Sequence, residues 1–344
     1  MLTERKKQVL AAIVQDYIAS AEPVGSRTIA RKYRLGVSPA TIRNEMADLE
    51  EMGYIEQPHT SAGRIPSQKG YRYYVDYLMH KHRLTPAERR FILEGYENKC
   101  KQIGQIIQET GRLLAEMIPY AAVVMGPAEV SSVFKQVQLV PLEGGKALLV
   151  VVTSTGTVHH KLIEVPDRLT DEDLAVISRV LTAKLRGVPV EKIRLTLVKE
   201  IYHELAGHHH IFDTAVEMLQ EALTLEQEEK VYLRGMLNIL NQPEFRDISK
   251  VKTLLGLLEQ EDVLRNLLQV RTDNPHEVTV RIGRENNIPE FEDCSVVTAV
   301  YSVDNQIMGS VGVIGPTRME YDKVVSILEF IAHSLSKILT RYYR

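Results

Sequence analysis

The feature that most constrains the fold is a run of short, clearly delimited helices at the N-terminus. Thr3 precedes an amphipathic stretch with apolar residues at helical spacing, which predicts a capped helix over about residues 4–20. Ser26 is expected to cap a second, short helix. Gly36 provides the following turn because glycine accepts a positive φ. Two short helices joined by such a turn indicate a helix-turn-helix.

The third helix, predicted over residues 39–51, begins with a serine cap at Ser38 and a proline at its first position, where the missing N–H costs nothing. A helical wheel places an apolar face on one side and Thr41 and Asn44 near the opposite side, with Arg43 beside them. The N-terminal residues of such a helix meet base edges in the major groove. Asparagine can read adenine, and threonine can contact a thymine methyl.

A basic hairpin is predicted directly after the third helix. A strand begins near Tyr54, and the stretch 59–72 contains Gly63 and Gly70 as expected turn residues and three cations. A basic hairpin beside a helix-turn-helix is a wing, which lies along the phosphate backbone or enters the minor groove. The candidate DNA-contacting residues are Ser38, Thr41, Arg43, Asn44, His59, Thr60, Ser61, Arg64, Lys69 and Arg72. A winged helix used for protein contacts is the alternative.

The charge distribution supports a polyanion-binding N-terminus. The whole chain of 344 residues has a net charge of −3, but residues 1–83 contain 13 basic and 9 acidic residues. The N-terminal segment is therefore basic and the remainder acidic, which fits a nucleic-acid-binding module attached to a second function. Two cysteines and the absence of a secretory or membrane-spanning apolar stretch predict a cytoplasmic protein with reduced thiols.

The remainder of the chain predicts an α+β multidomain fold. Strand signals in 133–165 and 277–315 flank a mainly helical block, and a final helix is expected over 320–341. The predicted domains are a winged helix at 1–80, a connector helix with an α/β domain at 81–165 and 272–344, and an inserted helical domain at 166–271. The leucine-rich segment 254–268 is either a dimer face or intradomain core.

No catalytic, metal or cofactor site is predicted. His208-His209-His210 and His159-His160 lack the spacing of metal ligands. The acidic triplet 171–173 is better explained as the start of a helix, because carboxylates favour that end of the macrodipole. Aspartate beside Cys294 disfavours a thiolate, and no phosphate-binding glycine motif is present. The chain is therefore expected not to be an enzyme.

Several long motifs resemble one family. The segments SPATIRNEMADLEEMGYIEQPHTSAGRIPS and KGYRYYVDYL, and the C-terminal VRIGRENN, SVVTAVYS and GVIGPTRMEY, are similar to the HrcA heat-inducible transcription repressors. The resemblance implies a winged helix and a GAF-like domain that carries an inserted dimerising domain. It further implies a homodimer that represses chaperone operons at an inverted-repeat operator on double-stranded DNA, with activity maintained by a GroEL-type chaperonin. Two alternatives remain: gating by a small effector in the GAF-like domain, or a chaperone-binding adaptor.

Overall fold

The structure is a computed structural model that describes residues 2–60, 62–97, 103–127, 133–153, 158–166, 169–188, 231–245, 247–269, 277–304 and 306–343. The chain forms two compact units. Unit 1 comprises Met1–Gly126 and Val231–Tyr342, and unit 2 comprises Pro127–Lys230. Within unit 1, we call residues 2–78 the head and the remaining residues the body.

The head is a winged helix. Helices α1 (Glu4–Ser20), α2 (Ser26–Lys32) and α3 (Pro39–Glu51) are followed by strands β1 (Ile55–Glu56) and β2 (Ile65–Pro66). The predicted bounds of α1 and α3 are confirmed, with Thr3 and Ser38 as their caps. The predicted cap of α2 is wrong: Gly25 occupies the N-cap, and Ser26 lies inside the helix as a buried residue.

Gly63 of the wing and Gly70 of the following helix are needed for close packing and not for turns. Arg64, directly before strand β2, pairs with Val24 in an antiparallel bridge. The two residues exchange two backbone hydrogen bonds of 2.9 Å. A Cβ on Gly63 would lie 2.6 Å from the carbonyl of Val24, and one on Gly70 would lie 2.1 Å from the carbonyl oxygen of Tyr54. Gly70 lies inside helix α4 (Gln68–Tyr73), so the prediction of a turn there is wrong.

A π-helical turn, Tyr74–Leu78, ends the head. The body begins with helices α5 (Pro86–Glu97) and α6 (Ile103–Met117). Its centre is a five-stranded antiparallel sheet in the order β7-β3-β10-β9-β8. The strands are β3 (Ala121–Met125), β7 (Val231–Arg234), β8 (Val278–Ile282), β9 (Cys294–Val303) and β10 (Gln306–Pro316).

Helices cover the sheet of the body. They are α8 (Met236–Leu240), α9 (Ile248–Leu258), α10 (Glu261–Leu268) and the C-terminal α11 (Tyr321–Tyr343). Five leucines of segment 254–268 pack in one core cluster with β3, β9 and β10: Leu254, Leu258, Leu264, Leu267 and Leu268. These leucines therefore form intradomain core, one of the two alternatives that the sequence left open.

The described part of unit 2 is a three-stranded antiparallel meander and one helix. Strands β4 (Phe134–Leu142), β5 (Lys146–Thr153) and β6 (Val158–Glu164) pair in sequence order, as predicted. Helix α7 (Asp171–Leu185) packs on one face of this sheet. The acidic triplet opens α7 and its third member, Asp173, forms a capping box with Thr170, which confirms the helix-start interpretation.

The compact units differ from the predicted domain bounds. The sequence places 133–165 with the body and 166–271 in the insertion, whereas unit 2 spans Pro127–Lys230. The meander packs on α7, and β7 pairs with β3 in the sheet of the body. Such long-range pairing leaves little local trace in the sequence, so the compact units and the predicted domains divide the chain at different residues.

Candidate nucleic-acid interface

The N-terminal end of α3 presents polar side chains in the predicted arrangement. Ile42, Met46 and Leu49 are buried, while Arg43 and Asn44 on the other side are exposed. Ser38 Oγ accepts a 3.1 Å hydrogen bond from the Thr41 amide and lies 3.0 Å from the Thr41 hydroxyl. Ser38 thus fixes the start of the helix, and Arg43 and Asn44 are presented to solvent by a rigid element.

The tip of the wing is closed by one side chain. Gln57 Nε2 donates to the carbonyl oxygens of Thr60 and Ala62, at 3.0 and 3.1 Å. His59 and Thr60 are exposed on this loop, and the candidate Ser61 lies outside the described residues. The described residues of the wing therefore present polar groups beside α3.

Acidic residues of α3 are paired within the head. Lys6 lies 2.8 Å from both Glu45 and Asp48, and hydrogen bonds to Asp48 and Glu45 raise the pKa of Lys6. Arg64 on the wing lies 2.8 Å from Glu50, with a second contact of 2.9 Å through Nε. Glu45, Asp48 and Glu50 consequently meet cations instead of facing the interface unpaired.

Lys69 and Arg72 lie beyond the wing tip, on α4. Lys69 Nζ donates to the Met52 carbonyl at 2.8 Å and lies 4.5 Å from the ring centroid of Tyr54, while its side chain remains exposed. This position combines backbone capping at the end of α3 with a cation–π contact. Lys69 therefore supports the end of α3 and keeps part of its surface in solvent.

Arg72 is engaged by the body. Its guanidinium contacts Glu285 and Asp76 and donates to the Val280 carbonyl at 2.6 Å. Burial lowers the pKa of Arg72, but its hydrogen bonds to Glu285 and Asp76 outweigh burial, so the pKa is raised overall. Beside it, Gln68 donates to the Glu292 carbonyl at 3.0 Å and accepts from the Arg284 amide. Helix α4 thus forms a polar seat for the head on the body.

A basic cleft of about 430 Å³ separates α3 from the wing. Three arginines line it, namely Arg27 from α2, Arg43 from α3 and Arg64 from the wing. In the part of the chain that the structure describes, no ion pair involves Arg27 or Arg43. Sequence reasoning missed Arg27. The sequence feature that could have identified Arg27 is its position in the first turn of α2. A cation there is unfavourable with the helix macrodipole, and a bound anion would offset that cost.

The described residues offer no competing chemistry. They contain no group of three or more potential metal ligands, and no described helix is long and apolar enough to cross a bilayer. Burial, with Asp293 beside it, raises the pKa of Cys294 to about 12, as the neighbouring aspartate predicts. His208-His209-His210 and Cys100 lie outside the described residues.

Two family models together match most of this chain. Residues 1–76 match the winged helix-turn-helix transcription repressor model for HrcA DNA binding, and residues 104–325 match the HrcA C-terminal domain. The chain belongs to the HrcA family. Heat-inducible transcription repressors HrcA from Pelotomaculum thermopropionicum and Desulforamulus reducens are 58% and 53% identical, covering 100% and 99% of this chain and 98% of each relative.

HrcA from Moorella thermoacetica is 51% identical over 100% of this chain and 99% of its own. A crystal structure described as that of a hypothetical protein is similar over 99% of this chain and all of its own, with 26% identity and a TM-score of 0.66. These similarities confirm the predicted family, the α+β multidomain fold with a winged helix, and the expectation that the chain is not an enzyme. HrcA membership makes it a heat-inducible transcription repressor with a DNA-binding head.

Proposed function

We propose that this chain represses chaperone operons in the cytoplasm by binding an inverted-repeat operator as a homodimer, in a state maintained by a GroEL-type chaperonin. The observation that carries the DNA-binding part is the cleft between α3 and the wing. It places Arg27, Arg43 and Arg64 around one groove while Asn44 projects from the same end of α3. Cations around a polar helix tip fit a duplex, whose phosphates flank its base edges.

The predicted contacts separate into two roles. Asn44 and Thr41 are assigned to base edges, because they lie at the N-terminal end of the recognition helix. Ser38, Arg43, His59, Thr60, Ser61, Arg64 and Lys69 are assigned to the backbone. Arg72 belongs to the predicted set, but its polar contacts to Glu285 and Val280 favour a role in seating the head.

Dimerisation is assigned to unit 2. The face of its sheet opposite α7 carries exposed apolar side chains, with Val158 and Leu162 on β6 exposed by 57% and 53%. Large exposed apolar side chains on one sheet face are typical of subunit interfaces. A two-fold dimer doubles the contacts of one head and imposes a fixed half-site spacing, which explains why an inverted repeat is expected.

Fluorescence anisotropy tests the operator. The full chain is titrated with a duplex that carries the inverted repeat upstream of a chaperone operon, with a duplex that retains one half-site, and with a scrambled duplex. We expect the complete repeat to bind at least about 10³-fold more tightly than the scrambled duplex at physiological salt. Equal affinity for all three duplexes at physiological salt would refute sequence-specific binding.

Refolding tests the role of the chaperonin. Denatured chain is diluted into buffer with or without GroEL, GroES and ATP, and the fraction that binds the operator is measured over time. We expect chaperonin to raise the recovered DNA-binding fraction and an excess of a denatured competitor protein to remove that gain. An identical recovered fraction in all three samples would show that the chaperonin does not maintain the DNA-binding activity.

A further inference from the structure

A second cleft lies in the body. It has a volume of about 470 Å³ and lies against the β8–β9 edge of the sheet and helix α11. Its apolar floor is formed by Leu84, Val278, Val300, Phe330 and Ala332. This volume is within the range of small-molecule sites, and a mostly apolar lining with few polar groups is their usual composition.

The polar groups of the cleft are predominantly cationic. Arg83 and Arg89 line it, and neither forms an ion pair among the described residues. The Arg89 guanidinium lies 5.7 Å from the ring centroid of Phe330, which holds it over the apolar floor. Lys81 is already neutralised by Glu329, at 2.7 and 3.0 Å. The two arginines therefore leave an excess of positive charge at the rim.

His82 adds an unsatisfied polar atom. Its Nε2 is buried and has no hydrogen-bond partner in the described part of the chain; the nearest acid, Glu88, lies 3.7 Å away. A buried polar atom without a partner costs free energy that a bound ligand can recover. His82 lines the same cleft as the two arginines, so its unsatisfied nitrogen supports the same ligand.

We infer that this cleft binds a small organic carboxylate with an apolar body. The carboxylate would accept from Arg83 and Arg89, for which bidentate hydrogen bonds are the favoured geometry, and the apolar body would cover Phe330 and Val300. The rim residues 81–84 follow the last turn of the head at Leu78. A ligand held there contacts both the segment that leaves the head and the sheet of the body, so its binding acts on the connection between them.

Isothermal titration calorimetry of the full chain tests this site. Sodium octanoate and sodium 2-naphthoate are the probes, 1-octanol supplies a neutral apolar body, and sodium acetate supplies a carboxylate without one. We expect saturable binding of octanoate or naphthoate and a weaker interaction with both controls. The variants are Arg83→Gln, Arg89→Ala and, as a matched control, Arg90→Ala, which changes the neighbouring arginine of α5 that does not line the cleft.

We expect Arg83→Gln and Arg89→Ala each to weaken carboxylate binding about tenfold, equivalent to one lost charged hydrogen bond, while Arg90→Ala leaves it unchanged. Arg89→Ala also removes the Arg89–Phe330 contact and could impair folding for that reason. Arg83→Gln leaves that contact intact and therefore still tests the site. Absence of heat with both carboxylates, or affinity unaffected by Arg83→Gln, would overturn the proposal. Operator binding is measured separately, so a failure here leaves the DNA-binding function untouched.

Discussion

The guanidinium of Arg72 binds both carboxylate oxygens of Glu285, a residue 213 positions further along the chain. The 3.0 Å contact runs from Nε to Oε1, and Nη2 reaches Oε2. Because Arg72 lies on α4 and Glu285 lies in the body, this bidentate pair joins the head to the body. In the proposed dimer, a fixed head would restrict the positions that the two α3 helices take on DNA.

We expect Arg72→Ala to lower the free energy of unfolding by about 1–2 kcal/mol, because charged bidentate hydrogen bonds are lost at a partly exposed site. Urea denaturation of Arg72→Ala, Glu285→Ala and the double variant measures the coupling. The local exposed pair Lys7–Glu4 is the control, for which we expect a smaller coupling because solvent screens an exposed pair. The slope of log affinity against log salt should stay unchanged in Arg72→Ala. A decrease of about one in the magnitude of that slope would instead indicate that Arg72 contacts a DNA phosphate.

Gly70→Ala should destabilise the head, since the new Cβ would lie 2.1 Å from the Tyr54 carbonyl oxygen. We expect a loss of about 1–3 kcal/mol, the usual cost of forced overpacking. Gly256→Ala is the matched control: it lies in α9, has nothing within 4 Å of a new Cβ, and should gain about 0.5–1 kcal/mol from reduced chain entropy. Thermal unfolding of both variants measures these changes. A Gly70→Ala chain as stable as the unchanged protein would contradict this packing.

Arg27→Ala and Arg43→Ala should each weaken binding to specific and scrambled duplexes alike and reduce the salt slope by about one, because both line the cleft beside α3. Asn44→Ala should instead cost about 1–3 kcal/mol of discrimination between operator and scrambled duplex. Anisotropy titrations at several salt concentrations distinguish the two classes, with Arg90→Ala as the control. An unchanged salt slope in Arg27→Ala would remove that residue from the interface.

Leu162→Glu should shift the chain towards monomer, because it places a charge on the apolar sheet face of unit 2. Sedimentation velocity across a concentration series measures the change. Glu143→Lys, in the exposed β4–β5 turn, alters charge without touching that face and should leave the dimer intact. A Leu162→Glu chain that sediments as an undiminished dimer would place the interface elsewhere.

Cys294 should resist modification while the chain is folded. Its pKa is about 12 because burial disfavours the thiolate, compared with an ordinary value of 9.0. The unfolded chain therefore loses this proton at a lower pH, so the stability that the buried thiol contributes is present below pH 9 and declines as the pH rises towards 12. In a Cys100→Ser background, Ellman's reagent at pH 8 should react only after denaturant is added. Rapid labelling of the folded chain would show that the site opens.

Local signals predicted the head well. Caps at Thr3 and Ser38 and the apolar period of Ile42, Met46 and Leu49 depend on neighbours within one or two helical turns, and the structure retains them. The same reasoning failed at Gly63 and Gly70, where the requirement comes from backbone that approaches across the fold. The sequence alone could not distinguish a glycine needed for a turn from one needed for contact.

The candidate interface shows the same limit. Arg43 and Asn44 were predictable because a helical wheel fixes their direction, whereas the roles of Arg64 and Arg72 depend on Glu50 and Glu285. Such pairings arise from tertiary contacts, so no periodic pattern in the sequence predicts them. Arg27 was identifiable in principle through its unfavourable place in the first turn of α2, which sequence reasoning did not weigh.

The seat of the head has a consequence for biosynthesis. Arg318 donates to the Ile18 carbonyl at 2.6 Å, across 300 residues, and Gln68 meets backbone of Arg284 and Glu292. During translation the head can fold on its own local contacts long before these partners have been made. A ribosome-bound chain that ends before residue 280 would thus have a formed winged helix without these body partners. The seated orientation of the head therefore depends on residues that are translated last.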